Sequence, residues 1–188
     1  MSEIMRFNHR VLHEEEHTYH EERTVGGSGG KAPKYMIKCD KIFSSSMKDF
    51  EDCAPCDWVK TGGSRITTFD SSGKLNGDTT ISGKDPAICM KNGPWGPILQ
   101  EFMYAGKELK KICVYQVMDI HNKKEKMQEL TYSNCLIKTY DQEADKILFT
   151  FCFASVEDLQ IAYDHEGKKL GQHGMQFDFT TLKVKSTT

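Results

Sequence analysis

The chain has 188 residues, with 25 Lys+Arg against 27 Asp+Glu and a formal net charge of −2. That balance excludes a nucleic-acid binder running on bulk electrostatics. A charged fraction of 28% and an apolar fraction of 38% describe a soluble globular protein with one sizeable core. No apolar run reaches the roughly 18–20 residues of a membrane-spanning helix, so no membrane insertion is expected. The N-terminus carries no apolar signal-peptide region, so synthesis in the cytoplasm is expected. The seven cysteines (Cys39, Cys53, Cys56, Cys89, Cys113, Cys135, Cys152) are an odd number, unlike a secreted disulfide scaffold. Cys113, Cys135 and Cys152 sit inside apolar runs, as small buried hydrophobes do. A reducing compartment follows.

Residues 1–33 read as an arm and residues 34–188 as the folded domain. The arm holds His9, His13, His17 and His20, and six acids: Glu3, Glu14, Glu15, Glu16, Glu21 and Glu22. It ends in the flexible run Gly26-Gly-Ser-Gly-Gly30.

From Tyr35 the pattern becomes β. Tyr35–Cys39 reads as a strand, residues 44–57 as polar turns. Trp58-Val59 and Ser64–Phe69 alternate with the period of a half-buried strand. Asp70–Lys74 is a turn, and Leu75–Ser82 a further strand. The spacing predicts a helix over Pro97–Ala105, with Pro97 in the first helical position. Ile98, Leu99, Phe102 and Met103 share one face, and Gly106 is the left-handed cap. In Leu109–Ile120, Ile112, Val114, Met118 and Ile120 face one way and Cys113, Tyr115 and Val117 the other. His121–Lys126 reads as a hairpin loop, then Met127–Tyr140 as a strand. Ile147–Val156 reads as one strand covered on both faces. Glu166–Gly174 reads as loop. The parity change between Phe179 and Leu182 predicts a bulge near Thr180-Thr181. The sum is at least seven strands and one short helix without βαβ alternation. That is mainly β, an antiparallel barrel.

Several motifs carry possible chemistry. Cys53-Ala-Pro-Cys56 is a thiol-pair candidate, for redox chemistry or zinc. It lacks the following helix and the βαβ frame of thioredoxin-like proteins, and a zinc site needs two further ligands. A Pro turn with two ordinary thiols is the plainer reading. His13-Glu-Glu-Glu-His17 meets the H-E-x-x-H pattern, with Glu14 in the base position. It stands on a polar arm with little apolar material to shield a metal. The arm reads better as a solvated or partner-docking segment. Gly26–Lys31 is no phosphate loop, because Val25 and Ala32 occupy positions that need Gly and Ser/Thr.

From the helix onward the order of elements resembles the haemolysin-coregulated protein (Hcp) family, the tube subunits of bacterial type VI secretion, related to phage tail-tube proteins. The residues carrying the resemblance begin with Ile81, the helix Pro97–Ala105, Gly106 and Lys107–Val114. They continue through Leu130–Tyr140, the alternation Leu148–Phe153 running to Tyr163, Gly171-Gln-His-Gly174 and Phe177-Asp-Phe179. The likeness covers residues 75–185 and is fainter over 35–70. The arm and the Cys53/Cys56 segment look like additions. The resemblance implies a structural protein without catalytic residues or cofactor. It implies hexameric rings that stack into a tube, carrying or chaperoning effectors. Sheath, spike and effector proteins would be its partners. It would assemble in the bacterial cytoplasm and then be secreted. The hairpin Gly62–Asp78 is the candidate assembly element, with Trp58, Ile66, Phe69, Ser72, Gly73 and Leu75 as interface residues. Two other classes compete. A ligand-binding barrel requires an apolar cavity of small-molecule size, and a metal- or thiol-dependent enzyme requires converging ligands or reactive thiols.

Overall fold

The computed structural model describes residues 34–39, 42–45, 47–69, 72, 75–120 and 123–187. The histidine arm, the Gly26–Gly30 run and Gly73 lie outside the described residues. In chain order the elements are β1 (Tyr35–Cys39), β2 (Cys53–Phe69), β3 (Leu75–Lys91), α1 (Trp95–Ala105), β4 (Leu109–Ile120), β5 (Lys123–Glu143), β6 (Lys146–Cys152), β7 (Ser155–Tyr163), β8 (Lys169–Asp178) and β9 (Lys183–Thr187). Among the described residues the expected mainly-β architecture with one helix is what forms, and every strand pairing is antiparallel.

Six strands close on themselves in the order β4-β1-β2-β3-β6-β5, because β5 also pairs with β4. Closure removes the sheet edges an open sheet would leave. β7, β8 and β9 continue outward from β5 as a three-stranded flap. β5 serves both parts. Its residues Gln128–Ser133 pair with β7 and its residues Leu136–Glu143 with β6. Asn134, at φ 53°, stands at the changeover. Asn tolerates this left-handed conformation better than most residues, so it suits the bend.

The barrel interior is filled by alternate residues of its strands. Ile37, Ile88, Met90, Ile112, Val114, Phe149 and Phe151 are all 2% exposed or less. Burying one such side chain stabilises by about 1.5–3 kcal/mol. The opposite faces of β1, β2 and β4 form a second cluster of Met36, Phe50, Cys53, Cys113, Tyr115 and Val117. The segment carrying Met47 and Phe50 covers that cluster, which explains why both faces of β4 read as apolar. Met118 is exposed although it shares the parity of Ile112 and Val114; the bulge at Gln116/Val117 places its extra residue on β5 and leaves Val117 with Cys113 and Tyr115.

Helix α1 starts at Trp95, two residues before the expected Pro97. Pro97 is therefore the third helical residue, still in the first turn, where an N–H has no intrahelical acceptor. Gly106 is left-handed at φ 59°. Its N–H donates to the Met103 carbonyl (3.2 Å), and the Lys107 N–H donates to that of Phe102 (3.0 Å), a Schellman closure. Leu99 is buried in the barrel core, with Trp95, Ile98, Phe102 and Met103 packed beside it.

Five local expectations are corrected. Cys53-Ala-Pro-Cys56 opens strand β2 instead of forming a turn. Pro55 fits there because β2 is paired only on its β1 side until Cys56. The run Ile147–Val156 breaks into β6 and β7. Ile147, Phe149 and Phe151 are buried but Leu148 and Cys152 only partly, so one face alone is fully covered. Much of the loop expected over His121–Lys126 is strand, β5 beginning at Lys123 with Ile120 facing it. Most of Glu166–Gly174 is strand β8, whose polar residues belong to an exposed sheet. Finally, no bulge lies at Thr180-Thr181. The chain reverses there, and Val184 pairs with Phe177.

Ala144 sits at φ 51° in the two-residue turn joining β5 and β6. A Cβ in that conformation is strained. Ala144→Gly is expected to raise stability by about 0.5–1 kcal/mol, read as a higher urea midpoint at unchanged slope. An unchanged or lower midpoint would contradict the strain.

Candidate assembly surface

The long β2–β3 hairpin runs past its neighbours. β1 pairs with β2 only as far as Cys56, and β6 pairs with β3 only from Ala87. Among the described residues, the hairpin beyond those points has no strand on either flank. Such flanks present unpaired N–H and C=O groups, a template for another chain. Among the described residues β9 pairs with β8 alone, which leaves a further open edge. Lys183 and Lys185 lie on it, with Val184 and Met175 exposed on the opposite face.

The expected interface residues fall on this hairpin. Trp58, Ile66 and Phe69 belong to β2, and Leu75 opens β3 opposite Phe69. Trp58 is half-buried opposite Cys89, and Ser72 is exposed at the tip. Sequence reasoning missed the element that holds the hairpin root. Stacked rings run from the barrel core outward: Phe151 to Tyr132 (5.1 Å), Tyr132 to Phe153 (4.8 Å) and Phe153 to Phe179 (5.3 Å), all edge-on. Gly83 of β3 lies directly on Phe179 and Phe153. The alternation of Phe177 and Phe179 was the available signal, but pattern alone does not reveal which strand the rings meet.

The turn beyond Phe179 is organised by Asp178. Its carboxylate accepts from the Thr180 N–H (2.8 Å), the Thr180 hydroxyl (2.6 Å) and the Thr181 N–H (3.1 Å). The Thr180 hydroxyl, then the two backbone donors, hold its pKa below the usual carboxylate range. A depressed folded-state pKa means the contribution is present above the unfolded value, about 4, and is lost as pH falls through the folded one. The Thr180 and Thr181 amide resonances are therefore expected to titrate together below about pH 4, and Asp178→Asn to abolish that titration. A flat response in the parent protein would break the assignment.

Cys53 and Cys56 are not brought together. Cys53 packs in the outer cluster and Cys56 in the barrel core, as an offset of three along a strand requires. Burial pushes the Cys53 thiol up to about 11 and the Cys56 thiol higher still. Thiolates are the reactive form, so these thiols are poorly suited to redox or metal chemistry. Among the described residues no three His, Cys, Asp or Glu side chains converge as a metal site. A cleft at the barrel mouth, lined by Tyr35, Val59, Thr61 and Gln128 among others, measures about 100 Å³. Small-molecule pockets are typically about 300–1,000 Å³.

No family model matches the sequence, and no curated protein matches it at a significant level. Solved structures do match. One described as a type six secretion system protein superposes with a TM-score of 0.73 at 16% identity, over 82% of this chain and 100% of the other. Hcp1 from Salmonella typhimurium gives 0.63 at 16% identity, over 80% and 97%. A type VI secretion system effector from Yersinia pestis gives 0.55 at 12% identity, over 77% and 98%. The chain has the Hcp fold. The match spans nearly the whole of each of these neighbours and about four-fifths of this chain. The resemblance read from the order of elements is thereby carried by three-dimensional structure, although identity is low.

Proposed function

We propose that this chain is a structural subunit of a type VI secretion tube. Hexameric rings form by contact between different surfaces of adjacent copies and stack into a tube. The tube assembles in the cytoplasm of a bacterium, inside a sheath and behind a spike, and leaves the cell with its effectors. The observation that carries this reading is the Hcp fold, matched along almost the full length of its neighbours. Its surfaces suit the task. Ring closure needs a heterologous interface, two unlike patches that meet. The hairpin flanks and the β9 edge are unlike patches of that kind, and pairing between them adds backbone hydrogen bonds across subunits. Trp58, Ile66, Phe69, Ser72, Gly73 and Leu75 are assigned to the hairpin side of the contact. No catalytic residue is assigned. Residues 1–33 are assigned to docking on a neighbouring subunit or chaperone, because their polar, histidine-rich composition forms no core of its own.

Native mass spectrometry and electron microscopy of the full chain test the reading. A six-fold mass and ring-shaped particles are expected. A strictly monomeric protein at about 100 µM, where weak oligomers populate by mass action, overturns it.

A further inference from the structure

Gly62, Gly63 and Gly83 occupy two adjacent rungs of the hairpin, Gly62 opposite Lys84 and Gly63 opposite Gly83. The reasons for glycine differ between them. A Cβ at Gly83 would lie 2.7 Å from Phe179 Cζ and 3.1 Å from Phe153 Cζ, so the two rings exclude a side chain unless they move. Gly62 and Gly63 face no such obstacle. A Cβ there would stand 3.8 Å from Lys84 Cδ and 3.4 Å from the Ser82 carbonyl oxygen, ordinary contacts. Nor does the backbone demand glycine, because positive φ among the described glycines is confined to Gly106 and Gly167. Two adjacent glycines nonetheless weaken a strand, through backbone entropy and missing side-chain contacts. With packing and φ excluded, the property left is freedom of the backbone.

The ladder around them agrees. Register shifts bracket the site, between Lys60 and Gly62 and between Arg65 and Thr67. Lateral support has already ended at Cys56 on one strand and has not begun until Ala87 on the other. Among the described residues, the contacts that reach this stretch from outside the hairpin are the rings on Gly83 and a hydrogen bond between the Thr61 side chain and Tyr132, one residue before Gly62.

We propose that Gly62, Gly63 and Gly83 form a hinge on which the outer hairpin tilts, and that the Phe153–Phe179 ring pair is a latch holding one tilt. The hinge lets the hairpin flank, which no described strand covers, align with a neighbour during assembly. The latch limits the conformations lost at that moment, which lowers the entropic cost of association. The use of the hinge in assembly rests on the tube-subunit reading; the hinge itself does not.

Hydrogen exchange on the full chain at a concentration where it is monomeric separates the two. Gly62→Ala with Gly63→Ala is expected to slow exchange of the backbone amides of residues 64–69 and 75–82 about 5- to 10-fold, leaving β5 and β6 amides unchanged. Phe179→Leu is expected to speed the same amides about 5-fold by losing the edge-on ring contact. Unchanged hairpin rates in the alanine pair overturn the hinge. Unchanged rates in Phe179→Leu overturn the latch. Where the parent forms rings, the alanine pair is expected to slow ring formation at least about 10-fold. Impaired rings with unaltered exchange would mark the glycines as mere contact points and overturn the hinge. If the parent never assembles, the tube-subunit reading fails, and the exchange rates still decide the hinge.

Discussion

Phe149→Ala is expected to destabilise the fold by about 3–5 kcal/mol. Phe149 is fully buried, on the strand that closes the barrel between β3 and β5. It faces Ile88 on one side and Tyr140 on the other and stands 6.4 Å, ring centre to ring centre, from Phe151. Truncation forfeits the transfer free energy of the ring and leaves a cavity that closed strands cannot collapse to fill. A domain of this kind holds only about 5–15 kcal/mol in total, so the loss is a large share of its stability. Urea unfolding followed by tryptophan fluorescence measures it, with Phe149→Leu as the milder control. A cost below about 1.5 kcal/mol would mean that the interior is not packed as the burial indicates.

Replacing residues 65–81 with an Asn-Gly turn is expected to abolish ring formation while leaving the barrel folded. Ser64 and Ser82 are direct cross-strand partners, so a two-residue turn can close the shortened hairpin in register. The excised part has no flanking strand among the described residues. Its removal is expected to change barrel stability by no more than about 1 kcal/mol, read from the same urea curve. Native mass spectrometry is then expected to report monomers in place of the hexamers proposed for the parent. Rings that persist in the shortened protein would remove the hairpin from the interface. A protein that no longer unfolds cooperatively would show that the hairpin belongs to the core.

The helix was legible because its signals are local. The period of Ile98, Leu99, Phe102 and Met103 and the capping Gly106 all act within a few residues. Its start was misplaced because Trp95 and Gly96 carry no helical signal. Trp95 is fixed by its indole N–H donating to the Lys91 carbonyl (3.1 Å), and Gly96 leaves room for the Tyr140 hydroxyl, which comes from a distant strand. Strands β7 to β9 were less legible. Alternation identified Met175, Phe177 and Phe179, but alternation does not distinguish a bulge from a reversal of the chain. The Asp178 carboxylate, which gathers three donors, decided for reversal.

The candidate surface divides in the same way. Gly62–Asp78 stood out as a hairpin from its own alternation and turn residues, and the pairing of Ser64 with Ser82 and of Phe69 with Leu75 places its strands as read. The absence of flanking strands among the described residues, the ring contact on Gly83 and the open outer edge of β9 there were out of reach, since each depends on residues far apart in the chain. The thiol motif shows the limit most sharply. Two cysteines three apart invite pairing on paper, yet a strand turns them to opposite faces. Composition, periodicity and caps are properties of neighbours along the backbone, and they were enough for the class of fold and its elements. Barrel closure, the changeover at Asn134 and the surfaces left open depend on which strand ends beside which. That choice comes from burying Phe149, Phe151 and Tyr132 together, a free energy that exists only once distant segments meet.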